Sequence, residues 1–412
     1  MPQTTLELLS PAGDRERLEA AVRFGADAVY LGAKQLGMRT APANFSWDQL
    51  RDSVAYCHRQ GVNVYLTCNA LPTNAEADAM PTFIRNAAQT GIDALIVADI
   101  GVLMLSRRVA PDLPIHISTQ AGVVNHLAAR ELHALGAERV ILARELSLED
   151  IRTIRDNTPP ELEIECFVHG AMCVSFSGRC LLSNYLTGRD GNHGECSGSC
   201  RWKYHLMEEK RPGQFFPIFE DEQGTYILNA RDLCMLPYLD QVAKAGVTSL
   251  KIEGRAKSAY YTAVVTNAYR HALNLLQINP AQYNPPQWLL DELLKMSHRE
   301  YCTGFYFPEN PPGQFYKDDS NPEYHQEWDI AAMVEGYEDG CLICRERNRF
   351  SVSDTLDILE PAKPPVPFSP AVIIGEDDVE TDTARHPMER LRIPHPRSYA
   401  YGSLIRRQRP KK

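Results

Sequence analysis

Over its first 255 residues the chain alternates between short apolar runs and amphipathic runs, and this alternation most constrains the fold. "LELLSPAG" precedes "DRERLEAAVRFG", "DAVYLGA" precedes "WDQLRDSVAYCHRQG", and the pattern continues to "LEIECFVHG" and "SLKIEGR". The helical runs repeat their apolar residues every three or four positions and commonly end in glycine. The intervening runs are almost continuously apolar, as strands are when both faces of a sheet are covered. Such alternation implies right-handed βαβ units and a parallel sheet. About eight strand-like runs predict an α/β chain with a (β/α)8, TIM-like barrel rather than an open doubly wound sheet. No GxGxxG opens a helix after the first strand, so a dinucleotide site is not indicated.

The functional groups of such a barrel sit at the C-terminal ends of its strands. Here those ends are Pro11–Gly13, Gly32, Asn69, Asp99, Ser118–Gln120, Arg144–Glu145, His169 and Glu253–Arg255. Between the seventh and eighth strands lies a Cys-rich insertion, about 173–246. The expected organisation is a catalytic barrel over 1–300, a Pro- and Asn-rich linker over 301–327, and a small β-barrel domain over 328–412. The last rests on short alternating runs separated by turn residues.

Bulk properties narrow the function classes. The chain has 412 residues, 44% hydrophobic and 23% charged, with net charge −10. No global basic field draws it to nucleic acid, although an acidic average is compatible with a local basic patch. The N-terminal run lacks a signal-peptide pattern, and no stretch of about 18 apolar residues suggests a membrane span. The expected setting is therefore cytoplasmic, with no membrane partner. Disulfides are rare in that reducing compartment, so the eleven cysteines need another explanation.

Five of them crowd into "ECFVHGAMCVSFSGRC" and "GECSGSCRWKY". Cys166 lies within an apolar strand and reads as core. Cys173, Cys180, Cys196 and Cys200 fall on a loop-rich segment and can converge on zinc or an iron–sulfur cluster. Zinc ribbons usually supply two tight C-x2-C knuckles; the wider, irregular spacing here favours [4Fe–4S]. Arg179 and Arg201, each next to a proposed ligand, would offset thiolate charge. Cys234 is an alternative fourth ligand, whereas Cys341 and Cys344 read as packing. A cysteine nucleophile paired with His169 is the rival reading.

The run "SLKIEGRAK" places Lys251, Glu253 and Arg255 on one strand face, with Lys257 beyond. Inside a barrel mouth these cations suit a carboxylate or phosphate. The other reading is an internal ion-pair network. Arg39, Asn69 and Gln120 complete the substrate-binding candidates. His169, Glu165 and Glu253 are the acid/base candidates, and Tyr185, Trp202 and Tyr204 could stack a splayed base.

The pattern E-x-F-x2-G-A-M-C-x4-G-x-C-x-L-S, from Glu165 to Ser183, resembles the signature of peptidase family U32, the collagenase-like proteases. "LLSPAGD", "ADAVYLG", "STQAGVVN" and "SLKIEGR" resemble it too. "ARELSLEDI", "FEDEQGTYILNARDL" and "NRFSVSDTLDI" bring the chain nearest the tRNA hydroxylation branch. The resemblance implies a [4Fe–4S] cluster on Cys173, Cys180, Cys196 and Cys200. It also implies prephenate-dependent hydroxylation of a wobble uridine, with tRNA, prephenate and an electron-transfer partner as the expected company. A peptidase acting on peptide bonds, or a binding module with a purely structural cluster, are the alternatives. One departure is the short segment between "RWKY" and "FEDEQGTY", which leaves the RNA contacts open.

Overall fold

The computed structural model describes residues 6–34, 44–173, 175–202, 231–307 and 325–409. Its first sheet contains β1 (Glu7–Pro11), β2 (Ala28–Gly32), β3 (Asn63–Cys68), β4 (Ala94–Val97), β5 (Ile115–Ile117), β6 (Arg139–Ile141) and β7 (Glu163–Ala171). It continues with β8 (Asp232–Cys234), β9 (Ser249–Ile252) and β10 (Tyr301–Cys302). Strands β1 to β7 pair in sequence, and β9 pairs in parallel with both β7 and β1. Eight parallel strands thus close into the expected barrel. The remaining two form an arm: β8 runs antiparallel along the upper end of β7, with Cys234 opposite His169, and β10 pairs with β8.

Helices α1 (Arg15–Arg23), α2 (Trp47–Arg59), α3 (Asn74–Gln89), α4 (Ile100–Val109), α5 (His126–Ala134) and α6 (Leu148–Asp156) connect the first seven strands. A short helix, α7 (Leu182–Thr187), lies in the Cys-rich segment. Then come α8 (Leu239–Lys244), α9 (Ala259–Ile278) and α10 (Gln287–Lys295). Side chains of Asp14, Ser46, Thr73, Asp99, Asn125, Ser147 and Ser258 cap their helices, each accepting from a backbone N–H of the first turn. Each cap contributes about 1 kcal/mol.

Residues 301–307, expected in the linker, instead belong to the barrel sheet and core. Tyr301 and Cys302 form β10, and the Tyr306 hydroxyl donates to the Phe167 carbonyl at 2.5 Å. The apolar Tyr, Phe and Cys side chains of this stretch outweigh its proximity to prolines, which alone suggested a connector.

Polar groups inside the barrel form one network. Arg139 Nη1 donates to Glu7 at 2.6 Å and to Glu165 at 3.0 Å, while Lys251 Nζ donates to the other Glu165 oxygen at 2.6 Å. Burial alone would raise the Glu7 carboxyl, but Arg139, Tyr65 and Ser249 outweigh it and hold the group below its ordinary value. Burial alone would lower Arg139; Glu7 and Glu165 instead raise it well above its usual value. A pair desolvated this far holds together only because every charge finds partners.

Where the sequence predicts a small β-barrel, the C-terminal residues form an antiparallel sheet of eight strands built around Trp328–Glu338, Cys341–Glu346 and Leu404–Gln408. Its end strands, Val366–Phe368 and Glu380–Thr381, do not pair with each other among the described residues. Arg406, fully buried, ties it to the barrel: Nη1 donates to Glu292 of α10 at 2.6 Å and Nε to Asp357 at 2.7 Å. Lys295 reaches the same two carboxylates, each at 2.7 Å. Among the described residues no helix is long and apolar enough to cross a membrane.

Candidate functional site

A cavity of about 220 Å³ opens at the C-terminal mouth of the barrel. One wall is made by strand ends, including Asn69, Gln120, Arg144, Glu253 and Arg255; the other carries Cys173, Cys180, Cys196 and Cys200. Two roomier clefts, about 630 and 940 Å³, lie beside α2 and beside α6 and α8, and neither is lined by a cysteine. Size therefore does not pick the site; convergence of chemistry does.

Two guanidinium groups define the barrel wall. Arg255 Nη1 donates to Thr67 Oγ1 at 2.7 Å. A Cβ on Gly32 would stand 2.8 Å from that same nitrogen, so glycine at the end of β2 makes room for the guanidinium. Gly32→Ala is accordingly expected to displace Arg255 and raise KM for an anionic substrate several-fold, with little change in melting temperature; steady-state kinetics and calorimetry check it. Arg144 packs its guanidinium 3.8 Å from the Phe167 ring centroid and donates to the Ala171 carbonyl at 2.9 Å. Its Nη2 lies 4.0 Å from Glu253, whose carboxylate also accepts from the Tyr30 hydroxyl at 3.2 Å. Among the described residues, Asn69 Oδ1, Gln120 Oε1 and Arg144 Nε are buried without a hydrogen-bond partner, and all three residues line this cavity. Orphaned polar atoms are uncommon in folded interiors; three at one cavity mark a place for a polar ligand.

The thiol wall is built from turns. Gly191 packs where a Cβ would touch the Cβ atoms of both Cys180 and Cys196 at 3.8 Å, so these two chain arms close on it. Burial raises the Cys173 thiol, against the Ser175 backbone and Arg144; Cys180 and Cys196 add to the rise. Among the described residues no three His, Cys, Asp or Glu side chains are drawn together as around a metal ion. The donor set nevertheless suits a cluster: four thiols share one cavity, and a cubane spreads its ligands farther apart than a single ion does. Cys234, the alternative ligand, is not part of this wall. It is buried on β8, where the Tyr269 hydroxyl lies 4.0 Å from its sulfur.

The structure separates the other candidates. Asn69, Gln120, Glu253 and Arg255 reach the cavity. Lys251 lines it too, but its ammonium is engaged by Glu165 within the barrel. Glu165 is fully buried in the ion network and is not among the residues that line the cavity. His169 is also not brought to the cavity: its ring sits among Tyr261, Tyr269 and Tyr301, and burial pushes it down to about 3. Lys257 lies past the strand end, with Nζ 3.4 Å from the Ser297 carbonyl. Arg179 donates from Nε to the Gln120 carbonyl at 2.6 Å. Arg39, Tyr204 and the Arg201 side chain lie outside the described residues. Tyr185 and Trp202 are exposed beside the thiol segment. Arg144 was legible as a strand-end cation but not as a ligand-binding residue, because its neighbour Glu145 shared that signal.

A closed parallel barrel with cations and thiols at its mouth defines a barrel protein equipped to take a small polar ligand against a thiol-bearing wall. The chain belongs to peptidase family U32: the profile of that family matches residues 13–314, and that of its C-terminal domain matches residues 326–406. It is 33% identical to tRNA hydroxylation protein P1 of Bacillus subtilis, covering 94% of this chain and 91% of that one. It is 37% identical to tRNA hydroxylation protein P of Escherichia coli, covering 86% of each. Similarity extends to the 23S rRNA 5-hydroxycytidine C2501 synthase of Escherichia coli, 37% identical over 66% of this chain and 40% of that one.

Proposed function

We propose that the chain is an RNA-hydroxylating enzyme that supports prephenate-dependent 5-hydroxylation of the wobble uridine in tRNA. The observation carrying this reading is the joining of two arginines and four cysteines in one barrel-mouth cavity, in a chain whose full-length relatives bear tRNA hydroxylation names. Cys173, Cys180, Cys196 and Cys200 would hold a [4Fe–4S] cluster, which supplies electron transfer at the cavity wall.

The chain's own residues do the rest. Arg255, steadied by Thr67, and Arg144, stacked on Phe167, suit the carboxylates of a small substrate such as prephenate, each offering a planar fork of donors. Glu253, between the Tyr30 hydroxyl and Arg144, is the group able to hold or move a proton at Oε2. Asn69 and Gln120 offer their unpaired carbonyl oxygens to substrate N–H or O–H groups. Tyr185 and Trp202 stand where an unstacked base could lie on them. A Cys–His nucleophile pair needs a histidine within hydrogen-bond reach; the described lining residues include none, so the cavity favours hydroxylation over peptide hydrolysis.

Nucleoside mass spectrometry of tRNA from a strain lacking this chain, and any redundant enzyme, tests the reading. The 5-hydroxyuridine derivatives are expected to disappear and to return with the wild-type chain but not with Arg255→Gln. Unchanged derivatives in the deletion strain would overturn it.

A further inference from the structure

Between Cys173 and Cys180 the backbone does something no side chain prefers. Ser177 is buried and takes φ +46°, the left-handed region that non-glycine residues seldom occupy. It lies four positions after one thiol and three before the other, so the sense of this turn decides whether both face the same cavity, as they do. An uncommon backbone conformation persists where surrounding contacts over-determine it. Here the contact comes from the barrel. Glu145, just past the end of β6, receives the Ser177 backbone N–H on Oε1 at 2.7 Å and the Ser177 hydroxyl on Oε2 at 2.8 Å. Both carboxylate oxygens are thus spent on one residue of the thiol loop. A second tether lies beside it: Arg179 reaches back to the Gln120 carbonyl after β5.

We propose that Glu145 is a positioning residue whose carboxylate locks Ser177 in its left-handed turn and thereby sets the spacing of the Cys173 and Cys180 thiols. It touches neither substrate nor reacting atoms; it acts through Ser177. Charge-assisted acceptance of two donors suits this task, being stronger and more directional than a neutral contact. The assignment rests on the reading of these cysteines as cluster ligands for its purpose, but not for its geometry.

Two measurements separate those layers. In metal-free protein, a short bis-maleimide is added and the Cys173–Cys180 cross-linked peptide is quantified by mass spectrometry. In anaerobically reconstituted protein, the rate at which an iron chelator removes iron is followed by absorbance. Releasing a left-handed turn should change these populations about tenfold. Glu145→Ala is expected to lower the cross-linked fraction and speed iron loss by that order, and Ser177→Val, which disfavours the turn with Glu145 intact, to do the same. Glu145→Gln should retain most wild-type behaviour. Glycine adopts the turn without strain, so Glu145→Ala combined with Ser177→Gly should recover both readouts, which a merely structural role would not predict. Wild-type cross-linking and iron retention in Glu145→Ala, or failure of the double substitution to recover them, would overturn the proposal. Wild-type protein that binds no iron while Glu145→Ala still loses cross-linking would instead remove the cluster reading and leave the positioning role standing.

Discussion

Replacing Cys180 or Cys196 with alanine is expected to leave anaerobically purified protein with little iron or acid-labile sulfide and to reduce tRNA hydroxylation at least about a hundredfold. Loss of an outer partner of a metal site already costs about 10- to 100-fold, and loss of a ligand should exceed it. The Cβ atoms of both residues flank Gly191, and both residues line the cavity together with Cys173 and Cys200. Cys234→Ala supplies the contrast. That thiol is buried behind β7 near the Tyr269 hydroxyl, so its loss should cost packing stability and leave iron content unchanged. Iron and sulfide assays decide the matter: full iron in Cys196→Ala, or iron lost in Cys234→Ala, would reject this ligand set.

Arg406→Ala should destabilise the chain by about 3–5 kcal/mol, because it abandons two buried carboxylates. Among the described residues, Glu292 and Asp357 would keep only Lys295 as a cationic partner. Denaturant unfolding of the metal-free protein measures this as a fall in midpoint at constant slope. Replacing Arg406, Glu292, Asp357 and Lys295 together with apolar residues of similar volume should recover most of the loss, since a whole buried ion cluster is often dispensable where a broken one is not. A loss below about 1 kcal/mol for Arg406→Ala, the range of a surface pair, would show that water reaches the cluster.

The barrel was legible because its strands are nearly continuous apolar runs and its helices carry their own caps; local chemistry and global fold agree there. The cavity was legible in part. Asn69, Gln120, Glu253 and Arg255 stand at strand ends, where sequence position and barrel geometry are the same information. His169 is not brought to the cavity because strand alternation is interrupted: the register between β7 and β9 shifts between Phe167 and His169, and the ring packs against Tyr269 of α9. Glu165 has the right face but the wrong depth, since alternation reports direction and not height within a barrel. Lys251 kept its place, yet its charge was already committed to Glu165, across 86 residues of sequence that no local pattern spans. The role of Glu145 was hidden for a similar reason, because only folding shows that Ser177 lies against it.

The Arg406 cluster also bears on how the chain is made. Glu292 and the barrel strands through Cys302 emerge from the ribosome well before Arg406 does. At about 5–20 residues per second, adding the 104 residues from Thr303 to Arg406 takes roughly 5 to 20 s. During that interval the nascent barrel carries an acidic side chain whose arginine does not yet exist, so its α10 flank waits in an open, hydrated state. Docking of the C-terminal sheet then closes a seam rather than adding an ornament, and a translational pause placed between these two points would prolong the barrel's exposure to proteases and chaperones.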